Sequence, residues 1–188
     1  MRILLETARL RLRHFTAADA DLLVELDADP EVMRYVTFGV ATPRERYVET
    51  YLPRSFEIYA RQPGLGYFAA EHLGSGEFLG WFHLRDDRIE PEYLELGYRL
   101  RRSAWRQGYA TEGGRALVAH AFGTLGAERL SARTLERNLG SQRVMQKCGF
   151  RFAGRFEYTD VAIAGRSRDE RAAVKYALTR SEWLSLPG

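Results

Sequence analysis

The chain has 188 residues and a nearly balanced charge, with 28 Lys and Arg residues against 25 Asp and Glu residues. Its 45% hydrophobic and 28% charged residues fit one soluble globular domain over residues 1–188, long enough to bury a core. Arg9, Arg11 and Arg13 interrupt any N-terminal apolar segment, and no later stretch reaches the roughly 18 apolar residues of a membrane span. We therefore expect a cytoplasmic protein that does not associate with membranes.

The cysteine, histidine and arginine residues limit which bonds and ligands we expect. The lone Cys148 excludes an intrachain disulfide, and the four histidines have no paired spacing, so we expect no metal site. Five arginines flank one loop, which favours a polyanionic ligand although the net charge is only +3. They are Arg99, Arg101, Arg102, Arg106 and Arg115. Because no RNA-binding pattern accompanies them, we expect no stable nucleic-acid binding.

The N-terminal part predicts a strand followed by a helix. Residues 8–14 alternate between apolar and polar, which is the period of a half-buried strand. Thr16 stands three residues before Asp19, close to a capping box, and Asp29-Pro30 would end the helix that follows. The apolar face of that helix consists of Leu22, Leu23 and Leu26.

The middle of the chain predicts a second helix and then a meander of strands. Thr42-Pro43 is a helix-start pattern, and the helix would run to about residue 60. Residues 67–72 and 77–84 flank a Gly-Ser-Gly connection and predict a hairpin. Residues 93–100 would add the next strand.

The C-terminal half alternates helices and strands. We predict helices over residues 111–122, 141–147 and 181–184, and strands over 129–135, 150–157 and 171–178. The whole order indicates an α+β fold, in which helices flank a mixed, mostly antiparallel sheet with a βαβ-like crossover in the middle. A long loop around Gly165 would be able to fold over a substrate.

The loop between the strand ending at Leu100 and the next helix suits a phosphate diester. Gly108 lets the backbone approach an anion closely, and the helix N-terminus offers unpaired N–H groups. Taken alone, an ordinary strand-to-helix turn explains the loop equally well. It lacks the patterns of a Walker loop and of a dinucleotide-binding loop.

Four motifs that follow one another along the chain favour the phosphate-binding interpretation of this loop. They are Glu95-Leu96-Gly97-Tyr98, the segment from Trp105 to Glu112, Asn138-x-x-Ser141, and Lys147-Cys148-Gly149-Phe150. With them the chain resembles the GNAT superfamily of N-acetyltransferases over nearly all its length. More narrowly, it resembles the Rim-type branch, which acetylates ribosomal-protein N-termini.

The resemblance implies acetyl-CoA as co-substrate, lying in a V-shaped split between the strand ending at Leu100 and the strand ending near Leu135. The backbone of Tyr98, Arg99 and Leu100 would pair with the pantetheine arm. The pyrophosphate would lie on Arg106, Gln107, Gly108, Tyr109, Ala110 and Thr111. Asn138 would bond the pantetheine or thioester region and Ser141 would lie near the sulfur, while Arg143 and Lys147 would either reach the adenosine phosphate or remain solvated.

Two departures from the family pattern concern the phosphate loop and proton transfer. Trp105 occupies the first position of the phosphate motif, so a neighbour such as Arg102 or Arg106 must supply that contact. Met145 stands where many members place a tyrosine that protonates the leaving thiolate, which makes Ser141 our candidate acid. Glu95 is our candidate base, directly or through water, and its alternative role is a surface salt-bridge partner.

The acceptor is the least defined part of the prediction. Deprotonating an α-amine of pKa about 8 at pH 7 costs about 1.4 kcal/mol, against about 4.6 kcal/mol for a lysine. A protein N-terminal α-amine is therefore our first candidate, and Glu157, Asp160 and Asp169 would line its site. A small amine, such as an aminoglycoside or polyamine, and a non-catalytic acyl-CoA-binding regulator are the alternatives. A homodimer is left open.

Overall fold

A computed structural model describes residues 2–159 and 165–186. In this part of the chain, eight strands form one sheet in the order β1-β2-β3-β4-β5-β6-β8-β7. The strands are β1 (Ile3–Glu6), β2 (Leu10–His14), β3 (Gly66–His72), β4 (Phe78–Asp86), β5 (Leu94–Leu100), β6 (Arg129–Leu135), β7 (Arg151–Glu157) and β8 (Ala172–Thr179). All neighbours are antiparallel except β5 and β6, which run parallel. The predicted α+β class with a mixed, mostly antiparallel sheet is confirmed.

Helices cover both faces of this sheet. They are α1 (Ala20–Asp27), α2 (Pro30–Met33), α3 (Arg44–Arg46), α4 (Leu52–Arg61), α5 (Tyr109–Ala119), α6 (Leu139–Lys147), α7 (Arg168–Arg171) and α8 (Arg180–Leu184). Leu23 of α1 and Leu52 of α4 pack with Ala69 of β3 in one buried cluster. Leu117 of α5 and Phe82 of β4 belong to a second. Because successive strand residues point to opposite faces, Ala69 of β3 belongs to the first cluster and its neighbours Phe68 and Ala70 belong to the second.

Local backbone chemistry shifts several predicted helix boundaries. Thr16 forms the capping box with Asp19, but a 3-10 turn over Ala17–Asp19 precedes α1. The second predicted helix contains a π-helical turn over Tyr47–Tyr51. Pro53 follows this turn and lacks a backbone N–H for the usual bond four residues back, which favours the change of register.

Three further segments differ from the prediction or lie beyond it. β1 was not predicted, because Ile3-Leu4-Leu5 is a short apolar run without alternation. The helix expected over residues 111–122 begins two residues earlier, at Tyr109, and continues into a π-helical turn at His120–Thr124. Part of the loop predicted around Gly165 lies outside the described residues.

The sheet opens between its two central strands. β5 and β6 pair only at Leu94↔Leu130 and Glu95↔Ser131. Beyond these pairs the described strands share no further ladder contacts, and α5 forms the crossover between them. The second half of β5 therefore has an open edge on this side, and an extended ligand can pair with such an edge.

Candidate active site

Glu95 lies at the point where the sheet opens. It is the last β5 residue paired with β6, and only 14% of its side chain is exposed. Its carboxylate forms an ion pair with Arg85, and Arg133 Nη1 lies 3.8 Å from its Oε1. Burial is the main cause that raises the pKa of Glu95, while Arg85 opposes the shift and the Asp87 carboxylate adds to it. The face of β5 that carries Glu95 is therefore a polar, half-buried wall of the split, and it is not open to solvent.

His83 on β4 completes this wall and was missed by sequence reasoning. Its imidazole lies over Gly97, where a Cβ would be 2.5 Å from the ring, so any larger residue at 97 would clash. The Nε2 atom is 3.9 Å from Glu95 Oε2, and neither ring nitrogen has a hydrogen-bond partner in the described structure. Only the antiparallel register, which pairs His83 with Gly97, would have revealed this contact.

A buried ion-pair network fixes the closed end of the split. Asp87 accepts a hydrogen bond from Ser131 Oγ at 2.5 Å and pairs with Arg133. Glu90 pairs with both Arg133 and Lys175. Burial alone would raise the pKa of Asp87, but the bonds from Ser131 and its other donors lower it. The network links the β4–β5 connection to β6 and β8, which holds the strands together where the split begins.

Three arginines of the predicted anion-binding cluster form ion pairs with carboxylates of the protein itself. The side chains of Arg99, Arg101 and Arg102 pair with Asp27, Glu25 and Asp29, respectively. These acids lie on α1 or just after it, so the arginines fasten this helix to the end of β5. The clustering therefore overstated the positive charge available to a ligand, since Arg102, although exposed, pairs with Asp29.

The loop predicted to hold the pyrophosphate contains two residues with positive φ, Arg106 and Gly108. Gly108 caps α5 with a φ of 87°, a left-handed conformation that favours glycine. Arg106 also has a positive φ, and in the described part of the chain its guanidinium has no ion-pair partner. Trp105 Nε1 donates to Leu100 O at 2.8 Å, so the indole fixes the loop to the end of β5. Gln107 Nε2 donates to Ser103 O at 2.6 Å.

Arg9 and Glu112 brace this loop from outside. Arg9 Nη1 donates to Gln107 O at 3.0 Å, and its guanidinium pairs with Glu112 and covers the Tyr109 ring at 4.4 Å. Glu112 also accepts a hydrogen bond from Thr7 Oγ1. Burial alone would raise the pKa of Glu112, but these bonds lower it. Arg9 was missed because it lies 98 residues from Gln107 in the chain.

The start of α6 lies on the other side of the split. Asn138 caps this helix by accepting from Ser141 N at 3.2 Å, while its Nδ2 donates to Thr134 Oγ1 at 3.1 Å. Burial raises the pKa of Tyr98 to about 12, and a hydrogen bond with the Ser141 side chain opposes the shift. Tyr98 and Ser141 therefore face each other across the split. Met145 is buried in the core nearby and carries no transferable proton.

The remaining predicted coenzyme residues occupy the outside of α5 and α6. Arg143 and Lys147 are exposed, and Ala110 and Thr111 lie in the first turn of α5. Cys148 is buried, and burial raises the pKa of its thiol to about 12, which suits a packing role and not a nucleophile.

An aromatic residue connects the loop between α2 and α3 to two other segments of the chain. Phe38, between α2 and α3, has a φ of 59°, which is rare for an aromatic residue. Its ring lies 5.1 Å from Arg137 Cζ and 4.4 Å from Arg166 Cζ. The loop thus reaches the segment between β6 and α6 and the segment before α7.

The three acidic residues predicted to line the acceptor site lie in different surroundings. Glu157 pairs with Arg168 and Arg171. Asp169 lies in α7, and Asp160 falls outside the described residues.

Comparison with known families decides how to interpret this split and loop. A family model described as "Acetyltransferase (GNAT) domain" matches residues 9–151. The chain belongs to the GNAT acetyltransferase family. Like its relatives that carry this name, it is an acetyl-CoA-dependent N-acetyltransferase.

Individual relatives of this GNAT chain agree over most of its length. The FsC-acetyl coenzyme A-N(2)-transacetylase of Aspergillus fumigatus is 31% identical over 195 residues, covering 97% of this chain and 78% of the relative. A GNAT-family acetyltransferase structure from Bacillus anthracis aligns with a TM-score of 0.72 at 23% identity, over 96% and 99% of the two chains. The ribosomal-protein-S5-alanine acetyltransferase structure of Vibrio fischeri gives a TM-score of 0.73 at 14% identity, over 95% and 97%. At these identities the two structures establish the shared fold.

The residues of this GNAT enzyme fit the co-substrate of its family. The open edge of β5 offers backbone groups to an extended arm, and the N-terminus of α5 follows a glycine that has no Cβ. No helix among the described residues is long and apolar enough to cross a membrane.

Proposed function

We propose that this enzyme transfers an acetyl group to an α-amine, and that a protein N-terminus, as in the Rim-type branch, is the first candidate acceptor. The observation that carries this proposal is the setting of Glu95, whose carboxylate lies beside the guanidinium groups of Arg85 and Arg133. The carboxylates of this site are already paired with arginines, so they offer no surplus negative charge to a polycationic acceptor such as a polyamine or aminoglycoside. These arginines are compatible with an amine that loses its proton easily, for which deprotonation at pH 7 costs about 1.4 kcal/mol.

In this proposal the coenzyme lies along the open edge of β5 and on the loop before α5. The backbone of Tyr98, Arg99 and Leu100 pairs with the pantetheine arm. The pyrophosphate lies on the segment from Arg106 to Thr111, where Arg106 supplies the positive charge. Arg143 and Lys147 contact the adenosine phosphate. Acetyl-CoA supplies the acetyl thioester.

Glu95 and Ser141 carry the proton transfers. Glu95 accepts the proton that the amine loses as its nitrogen bonds to the acetyl carbon, and backbone N–H groups of β5 stabilise the oxyanion. Ser141 donates a proton to the sulfur as the carbon–sulfur bond breaks. The Tyr98 phenol lies near Ser141 and supports this hydroxyl from the other wall of the split.

A second candidate acceptor is the N(2) amine of a small molecule. The observation that favours it is the Aspergillus fumigatus relative, whose name specifies transfer to an N(2) position and which aligns with 97% of this chain. In an amino-acid derivative the N(2) amine is the α-amine, so both candidates require the same chemistry at Glu95.

One acetylation experiment tests these acceptors together. The purified protein and acetyl-CoA are incubated with five acceptors, namely a peptide with a free N-terminus, the same peptide blocked at its N-terminus but carrying a lysine, an amino-acid amide, spermidine and an aminoglycoside. Thiol release and product mass are measured. We expect turnover with the free peptide or the amino-acid amide. Faster turnover of spermidine, the aminoglycoside or the lysine peptide would overturn the α-amine assignment, and so would coenzyme binding without turnover of any of the five acceptors.

Asn138 offers a test of the coenzyme site. Asn138→Ala removes both the cap of α6 and the carboxamide, so we expect a loss of about 1 kcal/mol in stability and a higher KM for acetyl-CoA. Asn138→Asp keeps a capping oxygen but has no N–H to donate. If the amide contacts the coenzyme, KM for acetyl-CoA rises in both variants, as measured by initial rates. A normal KM in the Asp variant would show that the residue only caps the helix.

We also place the acceptor beside the Phe38 ring, and a substitution at this residue tests that placement. Phe38→Ala removes the ring that contacts Arg137 and Arg166, so we expect KM for the acceptor to rise several-fold while KM for acetyl-CoA is unchanged. Phe56→Ala is the control, because this ring is also partly exposed but lies on α4. Equal effects of the two substitutions, or a change confined to acetyl-CoA, would contradict the placement of Phe38.

A further inference from the structure

His83 is a buried polar group without a partner, and the mechanism above gives it no role. The residue is 9% exposed, and both ring nitrogens are enclosed without a hydrogen bond in the described structure. An unsatisfied buried polar group of this kind destabilises the folded state. The ring is nevertheless held tightly, because it lies over Gly97 and packs against Tyr67 and Trp81.

The His83 ring lies close to the Glu95 carboxylate. Nε2 lies 3.9 Å from Glu95 Oε2, which is too long for a hydrogen bond but within reach after a small side-chain movement. His83 and Glu95 stand on adjacent antiparallel strands and on the same face of the sheet. The ring therefore borders the carboxylate that we propose as the base.

The surrounding charges keep this imidazole neutral. Tyr67 of β3, Trp81 and Arg85 of β4, and Glu95 and Arg99 of β5 surround it, and Arg88 follows β4. Burial is the largest cause that lowers the pKa of His83, followed by the positive charges of Arg85, Arg88 and Arg99. A neutral imidazole carries one N–H donor and one nitrogen with a free lone pair, and with the proton on Nδ1 the lone pair of Nε2 is the hydrogen-bond acceptor.

We propose that His83 is a positioning residue that accepts a hydrogen bond from protonated Glu95 during acetyl transfer. This inference rests on the proposed role of Glu95. The amine proton moves to Glu95 Oε2, the oxygen that pairs with Arg85 while Glu95 is ionised, as the nitrogen bonds to the acetyl carbon, and the new O–H group turns from Arg85 and donates to His83 Nε2. No proton is transferred to the ring. Because the hydrogen bond exists only when Glu95 is protonated, His83 strengthens Glu95 as a base.

Two substitutions separate this role from simple packing. His83→Phe keeps a flat ring over Gly97 but removes the acceptor, whereas His83→Gln keeps an acceptor oxygen near the position of Nε2. We expect His83→Phe to lower kcat about tenfold. In the pH profile of kcat/KM, the fall in activity that reports protonation of Glu95 should occur about 0.5 to 1 pH unit lower in His83→Phe than in the wild type. The reason is that the protonated form of Glu95 loses its stabilising hydrogen bond. We expect His83→Gln to retain most of kcat and the wild-type pH profile.

The controls distinguish failure of this inference from failure of the proposed function. Wild-type turnover of an α-amine and its loss in Glu95→Gln must be observed first, since without them Glu95 is not the base. His120→Gln is the matched control, because His120 contacts Gly64 O away from the cleft. Thermal unfolding verifies that each variant folds. If His83→Phe does not fold, the comparison of His83→Gln with His83→Leu replaces it. The proposal would be overturned if His83→Gln, which keeps an acceptor atom, and His83→Phe or His83→Leu, which lack one, had the same kcat and the same pH profile.

Discussion

Replacing Glu95 by Gln is expected to lower kcat by about 10²- to 10⁴-fold at pH 7, the usual contribution of a general base. KM for acetyl-CoA should be unchanged, because the Glu95 side chain lies on the wall of the cleft that faces the acceptor in our proposal. Steady-state kinetics with both substrates measures the two parameters separately. The variant leaves Arg85 and Arg133 without part of their counter-charge, so its thermal unfolding must be compared with the wild type.

The pH profile of the wild type gives a second readout of the same residue. Glu95 acts as a base only when it is ionised, and burial raises its pKa above the ordinary value. Activity should therefore fall as the pH decreases through this raised pKa, at a higher pH than for an exposed glutamate. Glu95→Gln should lack this limb and keep only the separate limb near about pH 8 that protonation of the α-amine itself produces. A variant that keeps both the Glu95 limb and the rate would exclude Glu95 as the base.

Glu128→Gln is the matched control for this substitution. Glu128 is 76% exposed in its side chain and forms only a distant pair with Arg180, at 3.6 Å. It precedes β6 at the closed end of the sheet. We expect wild-type kinetics and stability, so a general effect of removing a carboxylate would be recognised.

The sequence predicts the elements of this fold better than the contacts between them. Alternating residues define β2 and the Gly-Ser-Gly connection defines the β3–β4 hairpin, since these signals depend on neighbours in the chain. The helix predicted from residue 141 begins at Leu139, because Asn138, predicted only as a coenzyme contact, is its cap. The partners of Arg99 and Arg101 could not be predicted, because they lie on α1, more than 70 residues away. An arginine cluster is visible in sequence, but its counter-ions depend on tertiary packing.

The same limit explains which site residues were found and which were missed. Glu95 and Gly108 belong to contiguous motifs, so their candidacy needs no knowledge of the fold. His83 and Arg9 have meaning only in relation to Gly97 and Gln107, and both contacts depend on how strands and loops are brought together. Residues that support a site from another element carry little local sequence signal.

Replacing Gly108 by Ala is expected to raise KM for acetyl-CoA about tenfold, because a left-handed conformation costs a residue with a Cβ about 1–2 kcal/mol. Gly108 has a φ of 87° at the N-terminus of α5. A new Cβ would also lie 3.3 Å from Arg9 Nη2, so the brace of the loop would have to move. The amides of α5 would then be displaced from the proposed pyrophosphate, and kcat at saturating coenzyme should change less than KM.

Gly126→Ala is the control that separates backbone strain from loss of the coenzyme site. Gly126 also has a positive φ, of 68°, and a Cβ there would meet nothing within 4 Å. Both substitutions should therefore lower the free energy of unfolding by a similar amount, measured by denaturant titration. Only Gly108→Ala should weaken coenzyme use, measured by KM and by direct titration with CoA. If both variants bind CoA equally well, the loop before α5 does not hold the pyrophosphate, and the coenzyme assignment of the segment from Arg106 to Thr111 fails independently of Glu95.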